Sequence, residues 1–272
     1  MPELPEVETV KNEILPHIVG RTITGITLEW EGMVKEPSPE EFCSGLAGQK
    51  ITGISRRGKY IIVSLSGGEF LIIHLKMTGS LIVQKSTDEP PRFTRAIVQL
   101  DDGNAVFFRD PRKFGAMRLV KDKDRIVGKL GPEPLEDDFT SGILAERLSG
   151  RKAPMKALLC EQNIVAGIGS MYADEALFAT GIHPLRLPES LSQQEIERLY
   201  GAIREILWAA IENKGASVNT YFRPDGSKGT AHYEFKVAHR GGQPCLVCGT
   251  PVERMVVRGR GSYFCPKCQL LP

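Results

Sequence analysis

Four cysteines near the end of the chain are spaced to hold one metal ion. Cys245-x-x-Cys248 and Cys265-x-x-Cys268 are separated by sixteen residues. Each Cys-x-x-Cys turn presents two thiolates, and two such turns close a tetrahedral zinc site. Four protein ligands leave no open position, so the expected Zn2+, a single ion, is structural. Two disulfides are the competing reading, which a cytoplasmic chain disfavours. Between the pairs, two β-rich runs flank Arg258-Gly259-Arg260-Gly261, which predicts a hairpin whose tip the metal holds in place. Cys43 and Cys160 stand alone and read as buried free thiols.

A second set of reactive groups opens the chain: Met1-Pro2-Glu3-Leu4-Pro5-Glu6-Val7-Glu8. One reading is plain helix initiation, with Pro5 in the first turn and Glu6 and Glu8 at the positive end of the helix dipole. The other starts from Pro2. Removal of Met1 would leave Pro2 with a free secondary amine. An α-amino group titrates near ~8, so a neutral fraction exists at neutral pH. Such an amine can attack the anomeric carbon of a sugar and form an iminium. Glu3 and Glu6 are then adjacent carboxyl groups for proton transfer. A third cluster lies mid-chain. Gly167-Ile168-Gly169-Ser170 precedes a predicted helix, and Arg151, Lys152 and Lys156 lie shortly before it. Amides exposed at a helix start bind phosphate; a packing turn explains the glycines equally well.

These groups need a scaffold. The pattern predicts a helix from Pro5 to His17. Strands are expected at Thr22–Trp30, Lys50–Ile54, Tyr60–Leu65, Phe70–Leu75, Ala96–Leu100, Ala105–Arg109 and Ala116–Val120. Gly131-Pro132-Glu133-Pro134-Leu135 breaks the strand pattern, and the chain then turns helical. Ser192-Gln193-Gln194-Glu195 is a capping box. Behind it Ile196, Leu199, Ile203, Ile206, Leu207 and Ala210 recur at helical spacing. Lys214-Gly215 is a helix stop, and 216–231 reads as a flexible loop. The expected class is α+β in two domains. Residues 1–130 form a β-sandwich with flanking helices and 131–235 a helical domain; 236–272 form the zinc finger.

The chain has 272 residues, 41% hydrophobic and 25% charged, which supports a sizeable core. No apolar run approaches a membrane span, and the N-terminus lacks the basic and apolar regions of a secretory signal, so a cytoplasmic protein is expected. Net charge is only +2, but it is unevenly spread. Residues 1–50 carry nine acidic and four basic side chains; residues 236–272 carry one acidic and six basic. A basic tail beside a zinc site suits a polyanion.

Six ordered motifs carry a family resemblance. They are Met1-Pro2-Glu3-Leu4-Pro5-Glu6, Arg56-Arg57-Gly58-Lys59-Tyr60, His74-Leu75-Lys76-Met77-Thr78-Gly79, Asp110-Pro111-Arg112-Lys113-Phe114-Gly115, Leu130-Gly131-Pro132-Glu133-Pro134-Leu135 and the four-cysteine finger. Together they resemble bacterial formamidopyrimidine-DNA glycosylase over essentially the whole chain. The resemblance implies a helix-two-turn-helix module around 154–180 and double-stranded DNA as the partner of a monomer associated with the nucleoid. It also implies excision of oxidised purines such as 8-oxoguanine and formamidopyrimidines. Pro2 would form a Schiff base at C1′, and β- and δ-elimination would follow at the abasic sugar. Glu3 is implied as the main acid/base group. Lys59 and Arg260 match positions tied to the eliminations, although both cations suit phosphates equally. Met77, Arg112 and Phe114 match an intercalating trio that fills the hole left by a flipped base. His74, Arg151, Lys156 and Ser170 match contacts to phosphate or lesion. Three features depart from the pattern. Ser170 replaces a usual Asn, no His stands near Phe93, and Val237-Ala238-His239-Arg240 replaces Val-Tyr-Gly-Arg. The sister enzyme endonuclease VIII, which acts on oxidised pyrimidines, is the nearest alternative; Leu4 and Arg112-Lys113-Phe114 favour the purine enzyme. A silent binder of damaged DNA is the other.

Overall fold

The computed structural model describes residues 1–218 and 220–271. The chain forms two compact units. The first is Met1–Lys129 with Asn213–Thr230, the second Leu130–Glu212 with Ala231–Pro272. The boundaries read from the sequence put 213–230 with the helical part. In the structure that segment returns to the N-terminal unit instead.

The first unit opens with α1 (Leu4–Ile18). Leu4, Val7, Val10, Ile14 and Ile18 form its buried stripe, and each such side chain contributes about 1.5–3 kcal/mol on burial. The strands are β1 (Ile23–Leu28), β2 (Val34–Glu36), β3 (Ile51–Arg57), β4 (Tyr60–Leu65), β5 (Phe70–His74), β6 (Ser80–Lys85), β7 (Thr94–Leu100), β8 (Asn104–Arg109) and β9 (Ala116–Val120). They build two sheets, ordered β1-β7-β8-β6 and β2-β9-β5-β4-β3. One core joins both sheets to α1, through residues such as Val10, Ile61, Ile73, Leu81, Phe108 and Met117. Two strands and two helices of this unit are absent from the sequence reading. β2 has three residues and pairs in parallel with β9. β6 reads Ser-Leu-Ile-Val-Gln-Lys without alternation. One missed helix, α2 (Pro39–Leu46), is announced by a capping box between Ser38 and Glu41; the other, α3 (Asp124–Val127), is a single turn.

The segment expected as a flexible loop is bonded to α1 instead. Ala216 N–H donates to Glu6 Oε1 at 2.8 Å, and Glu3 N–H donates to Glu6 Oε2 at 2.7 Å. Gly215 (φ +77°) lies so close to Glu6 that a Cβ there would sit 2.9 Å from Glu6 Cγ. Further along, Arg223 pairs with Glu13 at 2.6 Å, Gly229 N–H donates to Ser217 Oγ, and Tyr221 is buried. Gly215 and Gly229 reflect tight backbone packing, whereas Asp225 to Lys228 are exposed.

The second unit holds α4 (Ser141–Leu148), α5 (Met155–Leu159), α6 (Ser170–Ala179) and α7 (Gln193–Glu212). α7 starts at the expected capping box: Ser192 N–H donates to Glu195 Oε2 at 2.8 Å, and Glu195 N–H to Ser192 Oγ at 3.2 Å. α6 buries Tyr172 through Phe178 without a break, so it has no solvent face along that stretch. A hairpin of β10 (Glu253–Val257) and β11 (Arg260–Phe264) closes the unit, with Val257 opposite Arg260. Arg258 (φ +46°) and Gly259 (φ +77°) form its two-residue turn, as a right-twisted hairpin requires. Among the described residues no helix is long and apolar enough to cross a membrane.

The Glu6 link gives a test of the N-terminal fold. Glu6→Gln keeps one acceptor oxygen but turns an amine donor toward the other backbone N–H. An orphaned buried donor costs about 1–3 kcal/mol, so the variant should melt lower by that amount. Hydrogen exchange should quicken at the Ala216 amide before the strands of the sandwich; unchanged protection at Ala216 would show that the link carries no stability.

Candidate functional site

The four cysteines of the second unit converge. Their Sγ atoms all lie within 4.8 Å of one another. Cys245 and Cys268 are 3.9 Å apart, Cys248 and Cys265 3.4 Å. Tetrahedral zinc at Zn–S distances of about 2.3 Å sets sulfurs about 3.8 Å apart, so the set fits one Zn2+. Val247 N–H and Cys268 N–H point at Cys245 Sγ and Cys265 Sγ, which stabilises thiolates as metal ligands. Phe178, Val237 and Val252 pack round the knot.

Buried acids dock this finger onto α6. Glu175 accepts three successive amides, Lys236, Val237 and Ala238, at 2.8–2.9 Å. Burial raises its carboxyl above the usual range although the three amides pull it down. Asp174 takes the Tyr263 backbone amide and pairs with Lys156. Ser170 Oγ donates to the Gly261 carbonyl at 2.8 Å, one residue from Arg260. Gln269 Nε2 donates to the Ile182 carbonyl at 2.8 Å. The tip of the hairpin is therefore held from both its metal end and its helix side.

This geometry corrects two expected phosphate contacts. Lys156 is completely buried, and its ammonium is committed to Asp174 and the Ser170 carbonyl. A cation neutralised inside the unit cannot reach a phosphate. Ser170 spends its hydroxyl on Gly261, where the expected side chain would face a ligand. Arg151 and Arg260, by contrast, are exposed and open to an anion.

In the first unit Pro2 and Glu3 are buried at the start of α1 while Met1 is half exposed. Glu6 is wholly buried, with Oε1 and Oε2 each accepting a backbone amide. The expected proton-transfer role does not suit a carboxylate engaged in this way; Glu6 anchors the helix start. Lys59 occupies the two-residue turn Gly58-Lys59 between β3 and β4 yet is only 5% exposed, an unusual burial for a hairpin-tip lysine. His74 ends β5 and packs edge-on against Tyr60, ring centroids 4.6 Å apart. Burial, then the Lys76, Lys59 and Arg118 charges, push its imidazole down to about 3. It is neutral, and because Nδ1 accepts the Lys76 N–H at 2.9 Å, the proton sits on Nε2. His74 is a donor to an anion without being a cation.

Met77 (40% exposed), Phe114 (48% exposed) and Arg112 all face solvent on two adjoining turns. An exposed Met and Phe on rigid turns suit insertion into a stack far better than a core role. Arg112 lies over the Phe114 ring at 4.7 Å. The residue that organises both turns escaped the sequence reading. Asp110, fully buried, accepts from the Thr78 hydroxyl, from Arg112 N–H (3.2 Å) and from Gly115 N–H (2.7 Å). Asp174, Glu175 and Thr78 were missed with it. For Asp174 and Glu175 the signal was local, two adjacent acids in an otherwise apolar helix with no basic neighbour.

Comparison with known proteins follows this division. The formamidopyrimidine-DNA glycosylase N-terminal domain model matches residues 1–117, and the helix-two-turn-helix domain model of the same enzyme matches 130–221. A zinc finger found in these glycosylases and in isoleucyl-tRNA synthetase matches 242–270. The formamidopyrimidine-DNA glycosylase of Chloroflexus aurantiacus is 45% identical over 99% of this chain and 98% of its own. Two Lactococcus lactis glycosylase structures superpose over 99% of this chain and 100% of theirs, at 34% identity. One is a complex with abasic-site DNA (TM-score 0.92) and the other with DNA containing Fapy-dG (TM-score 0.91). The chain belongs to the formamidopyrimidine-DNA glycosylase family, the zinc-finger glycosylases of base-excision repair that act on DNA with damaged bases.

Proposed function

We propose that the chain is a bifunctional glycosylase and AP lyase acting on oxidised purines, 8-oxoguanine and formamidopyrimidines, in duplex DNA. The observation that carries this is Pro2 at the buried start of α1, next to buried Glu3, in a member of this family. Loss of Met1 exposes a secondary amine beside the positive end of a helix, where the ammonium form is disfavoured. The Pro2 nitrogen attacks C1′ as the glycosidic C–N bond breaks, and the base departs with a proton. Loss of the Pro2 proton and ring opening of the sugar give the iminium. Removal of a C2′ proton expels the 3′-phosphate, and a second elimination expels the 5′-phosphate. Glu3 serves as the acid/base, and Lys59 and Arg260 assist the eliminations or neutralise the phosphates leaving.

The remaining groups bind. Arg151 and Arg260 contact phosphates, His74 donates from Nε2, and Met77, Arg112 and Phe114 enter the stack. Zinc holds the hairpin and supplies no reactive position. The two structures of the Lactococcus lactis glycosylase with abasic-site and Fapy-dG DNA support the substrate class. A monomer acting on nucleoid DNA in the bacterial cytoplasm completes the reading.

Borohydride should trap mature protein covalently on 8-oxoguanine duplex, and intact mass should show Met1 absent. Pro2→Gly retains only a primary amine and should trap far less. Undiminished trapping by that variant, or none by the mature wild type, overturns the mechanism.

The zinc knot gives a second outcome. Cys245→Ser or Cys268→Ser removes a ligand from a site whose metal is worth on the order of 10 kcal/mol to its finger. Damaged-DNA binding should vanish while hydrogen exchange in the β-sandwich stays as in wild type. Normal affinity in the metal-free variant would show that the hairpin needs no metal.

Asp110→Ala orphans a buried hydroxyl and two amides at about 1–3 kcal/mol each. Affinity for a duplex with an abasic analogue should fall at least tenfold, about 1.4 kcal/mol, with a lower melting temperature. Wild-type affinity in this variant would mean the two turns do not need their shared acid.

A further inference from the structure

Three arginines of the first unit gather round one aromatic ring. The guanidinium carbons of Arg92, Arg95 and Arg109 lie 4.5, 5.9 and 5.8 Å from the centroid of Phe93. Phe93 itself has φ +70°, a left-handed backbone that bulky side chains avoid. Its carbonyl accepts the Asp110 N–H at 3.0 Å, and Arg95 Nε donates to the Asp110 carbonyl at 2.9 Å. Ring and cations are thus built into the start of the turn that carries Arg112 and Phe114. Arg92 is exposed, and Arg95 and Arg109 are half-buried.

Among the described residues no carboxylate neutralises this cluster: none of the three arginines pairs with one. The adjoining acid, Asp110, has committed its carboxylate to Thr78, Arg112 and Gly115. An exposed cation–π contact offsets only about 0.5–1 kcal/mol per guanidinium, so mutual repulsion leaves the cluster in want of an anion. Guanidinium forks match phosphate oxygens with two parallel hydrogen bonds, better than any ammonium could.

We propose that Arg92, Arg95 and Arg109, ordered by Phe93, form a phosphodiester-binding site for the duplex backbone beside the Arg112–Phe114 turn. The proposal rests on the reading that this turn enters damaged DNA. A backbone contact carries no base information. It adds affinity and salt dependence, and it leaves the choice of lesion unchanged.

The test is fluorescence anisotropy on an abasic-analogue duplex and on an undamaged duplex, over a series of potassium chloride concentrations. Wild type is compared with Arg92→Gln/Arg109→Gln and with Arg21→Gln, whose arginine pairs with Asp102. In the double variant the slope of log affinity against log salt should become shallower by about one. Affinity should fall by the same factor on both duplexes. Arg21→Gln should keep the wild-type slope. A double-variant slope equal to wild type overturns the proposal, as does a loss confined to the damaged duplex. Borohydride trapping by wild type is scored separately: absent trapping with an altered slope strikes the glycosylase reading alone.

Discussion

One buried carboxylate sets the geometry of the N-terminal unit. Glu6 accepts the Glu3 amide with one oxygen and the Ala216 amide with the other. Hydrogen bonds to a buried charge are among the strongest a protein makes, about 1.5–3 kcal/mol net each. The first holds the start of α1, and with it Pro2. The second brings a segment 210 residues away in sequence into the same unit. Arg223 to Glu13 extends that attachment along the helix, and Tyr221 to the Lys214 carbonyl ties the returning segment to itself. Residues at a chain terminus would otherwise fray, since they are ordered only when tied down.

The same device recurs wherever a group must be presented to an anion. Asp110 fixes the two turns that display Met77, Arg112 and Phe114. Asp174 and Glu175 fix the finger that displays Arg260. In each case the acid is inside, bonded to backbone, to a hydroxyl or, for Asp174, to the buried Lys156, while Arg112 and Arg260 lie exposed. Burying an acid is expensive unless its acceptors are filled, and here they are filled by the turn it holds. The near-zero net charge hides this separation.

Much of this was legible. Cysteine spacing located the metal set, and β4 and β9 coincide with the strands read from pattern, because both sit in one sheet with dense apolar runs. The capping box at Ser192 marked the start of α7. What failed was anything decided by a distant partner. Lys156 looks like a surface cation near a glycine turn until Asp174, eighteen residues on, takes it inside. Residues 216–231 look mobile because Gly229 and Gly215 are read as freedom. In the structure both are glycine because backbone and Glu6 leave no room for a Cβ. β6 was lost because its burial does not alternate cleanly, which removes the period-two signal.

The departures from the family pattern acquire meaning in the same terms. Ser170 is shorter than the expected Asn, and its hydroxyl reaches the Gly261 carbonyl in place of a ligand. In this chain the polar group at 170 bonds within the protein and seats the hairpin tip. Near Phe93 the change runs the other way. A site where a histidine would be neutral for much of its population carries arginines, which are always charged. One position turns its polar group inward, and the other carries permanent positive charge. Because the electrostatic part of DNA binding sums over phosphates with little regard to which residue supplies each cation, a chain can exchange one for the other and keep its grip on the duplex. Position matters more at the zinc hairpin and at Pro2, where a group must meet one atom.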